Sequence, residues 1–174
     1  MSERFWSNPF TEPKRSYRFL LNINGIPAWI VKKVNKPNAE ITNTEHQYLN
    51  HTFNYPAKVK WNKISVTLVD PVSPDASKTM MDIIARSGYH FPEDPNDTTT
   101  ISKAGAVASL GRVAIAQIGA EDNEVVEEWS LTNAWVSKVE FGELDYSADT
   151  MTEIKLEITY DYAKLTRSGV PVSL

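Results

Sequence analysis

The chain has 174 residues, of which 41% are hydrophobic and 23% are charged, a composition that fits one soluble globular domain with its own core. Its net charge of -4 argues against a general nucleic-acid binder, because such a protein needs a basic surface to displace counterions. The absence of cysteine excludes disulfides, thiolate nucleophiles and thiolate metal sites. Neither a signal peptide nor an apolar run long enough for a membrane span is evident, so we expect no membrane contact.

The N-terminal residues 1–15 contain two prolines and five charged residues, which break any periodic pattern. We interpret them as an irregular arm. Arms of this kind either fray or dock on a partner, and the aromatic side chains of Phe5 and Trp6 favour docking. The sequence therefore predicts a contact element ahead of the folded domain.

The first predicted strand covers residues 16–24, where apolar and polar side chains alternate as in a half-buried strand. The pair Asn24 and Gly25 that follows is the strongest short-range hairpin signal in a sequence. We therefore predict a hairpin around residues 24–27, with 28–34 as the returning strand.

The next stretch is predicted to leave the body of the domain. Residues 40–43 fit a short strand, and residues 45–56 place aromatic side chains among polar ones. This pattern predicts a long loop or an extended hairpin. The aromatic residues Tyr48, Phe53 and Tyr55 argue against disorder and are typical of interface anchors.

Residues 58–70 are predicted to form a strand with a bulge at 62–63, because the alternation shifts phase there. Residues 73–86 follow as the one predicted helix, with Ser73 as its cap and Pro74 as its first residue. An apolar stripe at helical spacing, expected to face the core, consists of Ala76, Met80, Ile83 and Ile84.

Four further strands are predicted in the second half of the chain, and the alternation is clearest in the last of them. They cover residues 112–118, 125–131, 134–141 and 153–162, and the last carries Ile154, Leu156, Ile158, Tyr160 and Tyr162 on one face. The sum is about seven or eight strands and one helix. Alternation, in place of continuous apolar runs, indicates antiparallel sheets. The predicted fold is therefore mainly β, an antiparallel β-sandwich or barrel with one flanking α-helix.

No residue pattern indicates catalysis. The three histidines lack the spacing of a zinc site, and neither a Gly-x-Ser-x-Gly motif nor a phosphate loop is present. Glu127, Glu128, Asp145 and Asp161 are candidate acids or bases, but polar strand faces account for them better. We therefore expect no enzyme, no cofactor and no metal site.

Lysines recur on the predicted strands, as Lys32, Lys33 and Lys36 early in the chain and as Lys58, Lys60 and Lys63 later. They are not interleaved with aromatic residues in the manner of a nucleic-acid site. Lysines on an edge strand commonly block unwanted pairing with other strands, and we favour that interpretation.

The second half of the chain also carries an ordered set of strand and turn residues. The set comprises 129–136, Trp-Ser-Leu-Thr-Asn-Ala-Trp-Val, then 139–142, Val-Glu-Phe-Gly, then 144–147, Leu-Asp-Tyr-Ser, and finally 153–162, which ends in Tyr-Asp-Tyr. In this order the residues resemble the tail tube proteins of contractile-tailed bacteriophages, the T4-like tube subunit family. The first half agrees, with a Tyr-Arg-Phe strand at 17–19 and a strand before the helix. The resemblance spans roughly residues 16–163.

The resemblance implies a structural protein whose copies form hexameric rings around a channel, stacked as a tube inside a contractile sheath. The implied partners are copies of the chain, the tail sheath protein, and the baseplate and tail terminator proteins. DNA is implied to pass through the lumen without specific binding, and an acidic channel wall fits the net charge of -4. The implied location is the virion tail, after synthesis in the cytoplasm of the bacterial host.

On this basis the chain divides into an arm at 1–15, a tail tube β domain at 16–165 and a C-terminal tail at 166–174. The arm and the stretch 44–57 are the candidates for contacts with a neighbouring ring. Asp145 is predicted to cap a turn. The candidate assembly residues are Phe5, Trp6, Tyr48, Phe53, Tyr55, Asp145 and Tyr146.

Other roles are open from the sequence. The arm and tail also suit a baseplate protein that initiates the tube, a protein that terminates it, or a secretion-system tube protein of the same fold. A monomeric β-sandwich binding module, for instance for carbohydrate, would instead present an exposed aromatic groove and form no rings. A hydrolase on a β-scaffold has the least support. The sheet edges distinguish a tube subunit from a monomeric binding module. A tube subunit pairs its edge strands with those of its neighbours, whereas a monomer must protect its edge strands from such pairing.

Overall fold

The alternating segments assemble into two packed sheets and a separate hairpin. The structure is a computed structural model, and it describes residues 12–93, 98–120 and 124–167 together with the backbone of 170–171. Strands β1 to β5 are Phe19–Ile23, Val31–Val34, Ala39–Tyr48, His51–Trp61 and Ile64–Val69. Strands β6 to β11 are Val113–Ile118, Val125–Thr132, Trp135–Glu140, Glu153–Thr159, Tyr162–Arg167 and Val170–Pro171, and helices α1 and α2 are Ala76–Arg86 and Lys103–Leu110.

The larger sheet, sheet A, has the strand order β1-β6-β7-β10-β11, and sheet B has the order β2-β5-β9-β8. Strands β3 and β4 pair only with each other among the described strands. All of these pairings are antiparallel. The predicted fold, mainly β and antiparallel, is confirmed, although the described residues hold more strands than expected and a second helix.

The core lies between the two sheets. Inward side chains of sheet A, such as Leu21 and Ile115, join those of sheet B, such as Val66 and Leu156, in one buried cluster. Helix α1 adds the fully buried Met80 to the same cluster. Burial of each such side chain contributes about 1.5–3 kcal/mol relative to exposure. The alternation in the sequence follows from this layer, because only one face of each sheet points into it.

The turn at residues 24–27 forms, but the hairpin predicted around it is wrong. Gly25 has a φ of +81°, a conformation that glycine adopts without strain. The chain then makes a 3-10 turn at Ala28–Ile30. Strand β1 pairs with β6 in sheet A, whereas β2 pairs with β5 in sheet B. Because Ile26 and Ile30 are buried between these strands, the chain crosses from one sheet to the other and does not return along β1.

Helix α1 begins later than predicted. Its cap is Asp75, whose carboxylate accepts a hydrogen bond from the backbone N–H of Lys78 at 2.9 Å, and Ser73 lies before the helix. Most of the predicted apolar stripe is right, since three of its members are buried, namely Ala76, Met80 and Ile83.

The second helix, α2, is missing from the sequence prediction. It consists mostly of Ala, Gly and Ser, so no apolar stripe of helical period stands out. The Ser102 hydroxyl caps it by accepting a hydrogen bond from the N–H of Gly105 at 3.0 Å. Leu110 is fully buried, and the helix packs beside α1 and β8.

Two of the predicted strands are each divided between sheets. The stretch 58–70 is not one bulged strand, because β4 ends at Trp61 in the hairpin and β5 begins at Ile64 in sheet B. The stretch 153–162 is likewise divided, because β9 ends at Thr159 in sheet B and β10 begins at Tyr162 in sheet A. Tyr160 is buried whereas Tyr162 is exposed, so the prediction that they share a face is wrong.

Candidate assembly surfaces

The hairpin of β3 and β4 projects from the sandwich. Every residue of β3 is exposed, and so is every residue of β4 except Trp61. At the base, the Trp61 ring lies 6.1 Å from the Tyr160 ring, and the Asn62 amide donates a hydrogen bond to the Asn38 side chain at 2.7 Å. A two-stranded hairpin alone is marginally stable in water. Of the two alternatives predicted for residues 45–56, the extended hairpin is confirmed.

One face of the outer half of this hairpin is aromatic. The cross-strand pairs that form it are Tyr48 with His51, His46 with Phe53, and Thr44 with Tyr55. They follow at two-residue intervals, so their side chains share one face. Tyr48, Phe53 and Tyr55 are 65%, 44% and 56% exposed. The structure therefore brings these three predicted assembly residues together, and we call this face the aromatic face.

The apolar surface changes sides along the hairpin. A bulge interrupts the pairing next to Ile41, where the Thr42 hydroxyl is hydrogen-bonded to the backbone of Lys58. Nearer the sandwich, Ile41 pairs with Val59, and both side chains are exposed. Ile41 and Tyr48 are an odd number of residues apart on one strand, so they point to opposite faces. The hairpin therefore presents apolar side chains on one face near its base and on the other near its tip.

The loop between β8 and β9, residues 141–152, holds the next two predicted residues. Asp145 accepts hydrogen bonds from the N–H and the hydroxyl of Ser147, at 2.9 and 2.8 Å, and so caps the turn as predicted. The bond from the Ser147 N–H, with that from its hydroxyl, lowers the pKa of Asp145. Tyr146 is fully in solvent, and Leu144 is 87% exposed. The loop is a second exposed apolar element, separate from the aromatic face.

The remaining predicted residues, Phe5 and Trp6, lie outside the described residues. The end of the arm, however, is docked on sheet A. Lys14 donates a hydrogen bond to Glu127 of β7, and the carbonyl oxygen of Arg15 accepts one from the Gln117 amide at 3.1 Å. Lys14 and Arg15, at the end of the arm, therefore contact the sandwich at the ends of β6 and β7.

Glu127, considered above for acid–base chemistry, is a buried structural anion. Its carboxylate accepts hydrogen bonds from Lys14, from Lys36 and from the Trp129 indole N–H, the last at 3.2 Å. Burial raises the pKa of Glu127, but these three hydrogen bonds outweigh it and lower the pKa from 4.5 to about 2. The group is ionised at neutral pH and fully engaged with its partners.

The other candidate acids also have local partners. Asp161 accepts hydrogen bonds from Lys103 at 2.8 Å and from Asn133 at 2.7 Å. The bond from Lys103, followed by that from Asn133, lowers the pKa of Asp161. Glu128 pairs with Arg112 at the surface. These contacts explain the carboxylates as polar faces and connections of the sheets, in agreement with the interpretation from sequence.

Charge is distributed unevenly between two segments, a feature that the sequence analysis missed. Residues 13–39 contain six Lys or Arg and no Asp or Glu. Residues 139–154 contain five Asp or Glu and no Lys or Arg. The first segment includes β2, and the second begins with the last two residues of β8. Strands β2 and β8 are the two edge strands of sheet B. The signal is visible in the sequence, but its meaning depends on which strands lie at the edges.

Within the described ranges, no three His, Cys, Asp or Glu side chains are grouped so that they could hold a metal ion. None of the described helices combines the length and apolar character needed to cross a membrane.

Comparisons with known proteins identify solved structures that have a similar fold. A scan against protein-family models matches no family, and no curated protein matches the sequence. A chain from the cryo-EM structure of the anti-feeding prophage cap, its tube-terminating cap, has a TM-score of 0.65 at 13% identity, over 90% of this chain and 92% of that chain.

Two further cryo-EM structures contain chains of the same fold. One is the sheath-tube complex of an extracellular contractile injection system, PVC, in its extended state, with a TM-score of 0.65, 13% identity and coverage of 89% of this chain and 92% of that chain. The other is the anti-feeding prophage baseplate, with a TM-score of 0.63, 14% identity and coverage of 91% and 99%. At such identities the likeness shows the fold, the one that the resemblance to tail tube proteins implied.

Proposed function

We propose that this protein is a non-catalytic structural subunit of a contractile tail or injection tube. Its copies assemble into hexameric rings that stack around a channel. Its partners in this role are copies of itself, the tail sheath protein, and the baseplate and terminator proteins of a virion-like tail. DNA is the cargo that the resemblance implies, and an acidic lumen repels phosphate so that the cargo slides past without binding.

The observation that carries this proposal is the aromatic face of the hairpin. In a monomer, Tyr48, Phe53 and Tyr55 lie in water on a two-stranded element that contacts the sandwich only at its base. Contiguous exposed apolar surface of this kind is typical of protein interfaces. A carbohydrate module would place its aromatic residues in a groove, whereas these side chains stand on a projecting ribbon. A second copy of the chain is therefore the partner that suits this face best.

The change of apolar side along the hairpin supports stacking as well as ring formation. A ribbon with apolar residues on one face near its base and on the opposite face near its tip suits a position between two surfaces. In a stack of rings these surfaces belong to two neighbouring copies. The exposed residues Leu144 and Tyr146, with Phe5 and Trp6 of the arm, complete the proposed contacts.

The TM-scores to the cap, baseplate and sheath-tube structures lie between 0.63 and 0.65, so they do not distinguish a main-tube subunit from a cap or an initiator. We favour the main tube as the simplest of these roles. These roles differ in how far the rings stack. Electron microscopy of the concentrated purified protein, with light scattering for the mass of the smallest particle, separates them. We expect hollow tubes built from hexameric rings. Isolated rings would assign the protein to a cap or initiator, and a monomer that no matching baseplate polymerises would overturn the proposal.

A further inference from the structure

The turn that leads out of β1 contains a chemically labile pair, Asn24 followed by Gly25. The N–H of Ile26 donates a hydrogen bond to the carbonyl oxygen of Ile23 at 3.2 Å, so the pair forms the exposed middle of a tight turn. The N–H of Gly25 itself donates no hydrogen bond to any residue that the structure describes. The backbone nitrogen of Gly25 is therefore available to react as a nucleophile.

The side-chain amide of Asn24 is the electrophile next to this nitrogen. It makes no hydrogen bond with a described residue. It borders an open depression of the surface that Arg112 and Glu128 also line, so water reaches it. Gly25 has no side chain that could block the approach of its nitrogen to the amide carbon of Asn24. Asparagine belongs to the thermolabile residues, and a following glycine favours the loss of its amide most.

Asn24 differs in this respect from the other asparagines of the chain, none of which precedes a glycine. Asn22 lies only two residues earlier, but it is held in the pairing of β1 with β6, opposite Ala114. The residue after it is Ile23, whose branched side chain hinders the same attack. Several others hold their side-chain amides in hydrogen bonds, namely Asn43 with Asn54, Asn62 with Asn38, and Asn133 with Asp161.

We propose that Asn24 is a site of spontaneous deamidation in the folded chain, whatever the chain assembles into. The Gly25 nitrogen bonds to the side-chain carbonyl carbon of Asn24, the bond from that carbon to the amide nitrogen breaks, and ammonia leaves with the proton of Gly25. The product is a cyclic succinimide. Water then opens the ring. Opening at the side-chain carbonyl gives aspartate, and opening at the main-chain carbonyl gives isoaspartate, with no oxidant or reductant consumed.

The isoaspartate product alters the main chain at the point where it crosses from one sheet to the other. It routes the chain through the side-chain carbon, so the turn gains one methylene group. The hydrogen bond from Ile26 to Ile23 spans only the reacting pair and no longer fits this longer path. Both isoleucines are buried, so a shift of the turn exposes core surface. The aspartate product keeps the main chain and adds only a charge, so the isoaspartate is the destabilising form.

The test stores the folded, full-length protein in warm, mildly alkaline buffer, where the backbone nitrogen loses its proton more readily. Tryptic cleavage after Arg18 and Lys32 then releases the peptide 19–32, which contains both Asn22 and Asn24. Tandem mass spectrometry measures each amide separately, and an unstored sample corrects for losses during the digest. We expect most chains to lose the amide of Asn24 and to keep that of Asn22, which serves as the internal control.

A synthetic peptide of residues 19–32, stored in the same buffer, provides the unfolded reference. If the peptide loses the amide of Asn24 and the folded chain retains it, the turn protects the site and the inference is overturned. Urea denaturation compares the stored parent with stored N24Q, which resists ring closure, and with fresh N24D, which carries the charge alone. We expect an additional transition at lower urea only in the stored parent. A stored parent that has lost the amide but unfolds as N24D does would overturn the destabilisation by isoaspartate.

Discussion

Lys36, in the segment between β2 and the hairpin, donates a hydrogen bond to the buried carboxylate of Glu127 on β7 of the opposite sheet. Lys14 of the arm reaches the same carboxylate. These two lysines are 91 and 113 residues from Glu127 in sequence, so one anion connects three distant segments. The root of the hairpin and the end of the arm, two proposed assembly elements, are therefore positioned by one buried side chain.

The first prediction concerns the stability that Glu127 provides. Replacement by glutamine keeps the size and one acceptor but removes the charge that orders Lys14 and Lys36. We expect E127Q to lower the free energy of unfolding by about 1–3 kcal/mol, the range for hydrogen bonds to a buried charged group. The neighbouring variant E128Q, which loses only a surface pair with Arg112, should cost less than about 1 kcal/mol. Urea denaturation of both variants measures the difference, and equal losses would contradict the role of Glu127.

The second prediction concerns pH. The pKa of Glu127 is lowered from 4.5 to about 2 in the folded chain, so the ionised form stabilises the fold above about pH 4.5. This contribution, up to about 3 kcal/mol, is lost as the pH falls from 4.5 towards 2. We expect the stability gap between the parent chain and E127Q to shrink across that window. Other carboxylates titrate in both chains, so the difference between the two unfolding curves isolates Glu127. A gap that stays constant from pH 6 to pH 2 would contradict the lowered pKa.

The third prediction tests the aromatic face, and it follows from the proposed function. The double variant F53S/Y55S removes two exposed aromatic side chains, so assembly should be lost while the urea midpoint of the monomer changes little. The control T52S/N54S alters the residues between and beside them, which point to the opposite face of the same strand. It should assemble as the parent does. Sedimentation and electron microscopy report assembly, and equal behaviour of the two variants would remove the aromatic face from the interface.

The fourth prediction concerns the turn that follows α1. Gly88 has a φ of +110°, and an added Cβ would lie 2.7 Å from the carbonyl oxygen of Thr100. G88A should therefore cost about 3 kcal/mol or more, because it adds a backbone clash to the strain of a positive φ. At Gly25, also at positive φ, the nearest atom is a methyl group of Thr79 at 3.7 Å, and G25A should cost only about 1–2 kcal/mol. Urea denaturation that ranks G25A as the more damaging variant would contradict this account.

Several elements were predictable from the sequence because their signals are local. Alternation at period two identified the strand at 153–159 and the antiparallel, mainly β class. The apolar stripe through Met80 identified α1. The aromatic residues of the hairpin were also singled out from sequence, and β-pairing then placed Tyr48, Phe53 and Tyr55 on one face. The helix α2 escaped because small residues give no stripe.

What only the tertiary structure decided is which distant segments meet. Alternation shows that a strand has an inner face but does not name its neighbour, so the sequence could not place β1 and β2 in different sheets. The same holds for the contact of Lys36 with Glu127. Periodicity is fixed by residues next to one another in the chain. Strand order and buried ion pairs are instead fixed by the joint burial of residues far apart, which no single segment of the sequence encodes.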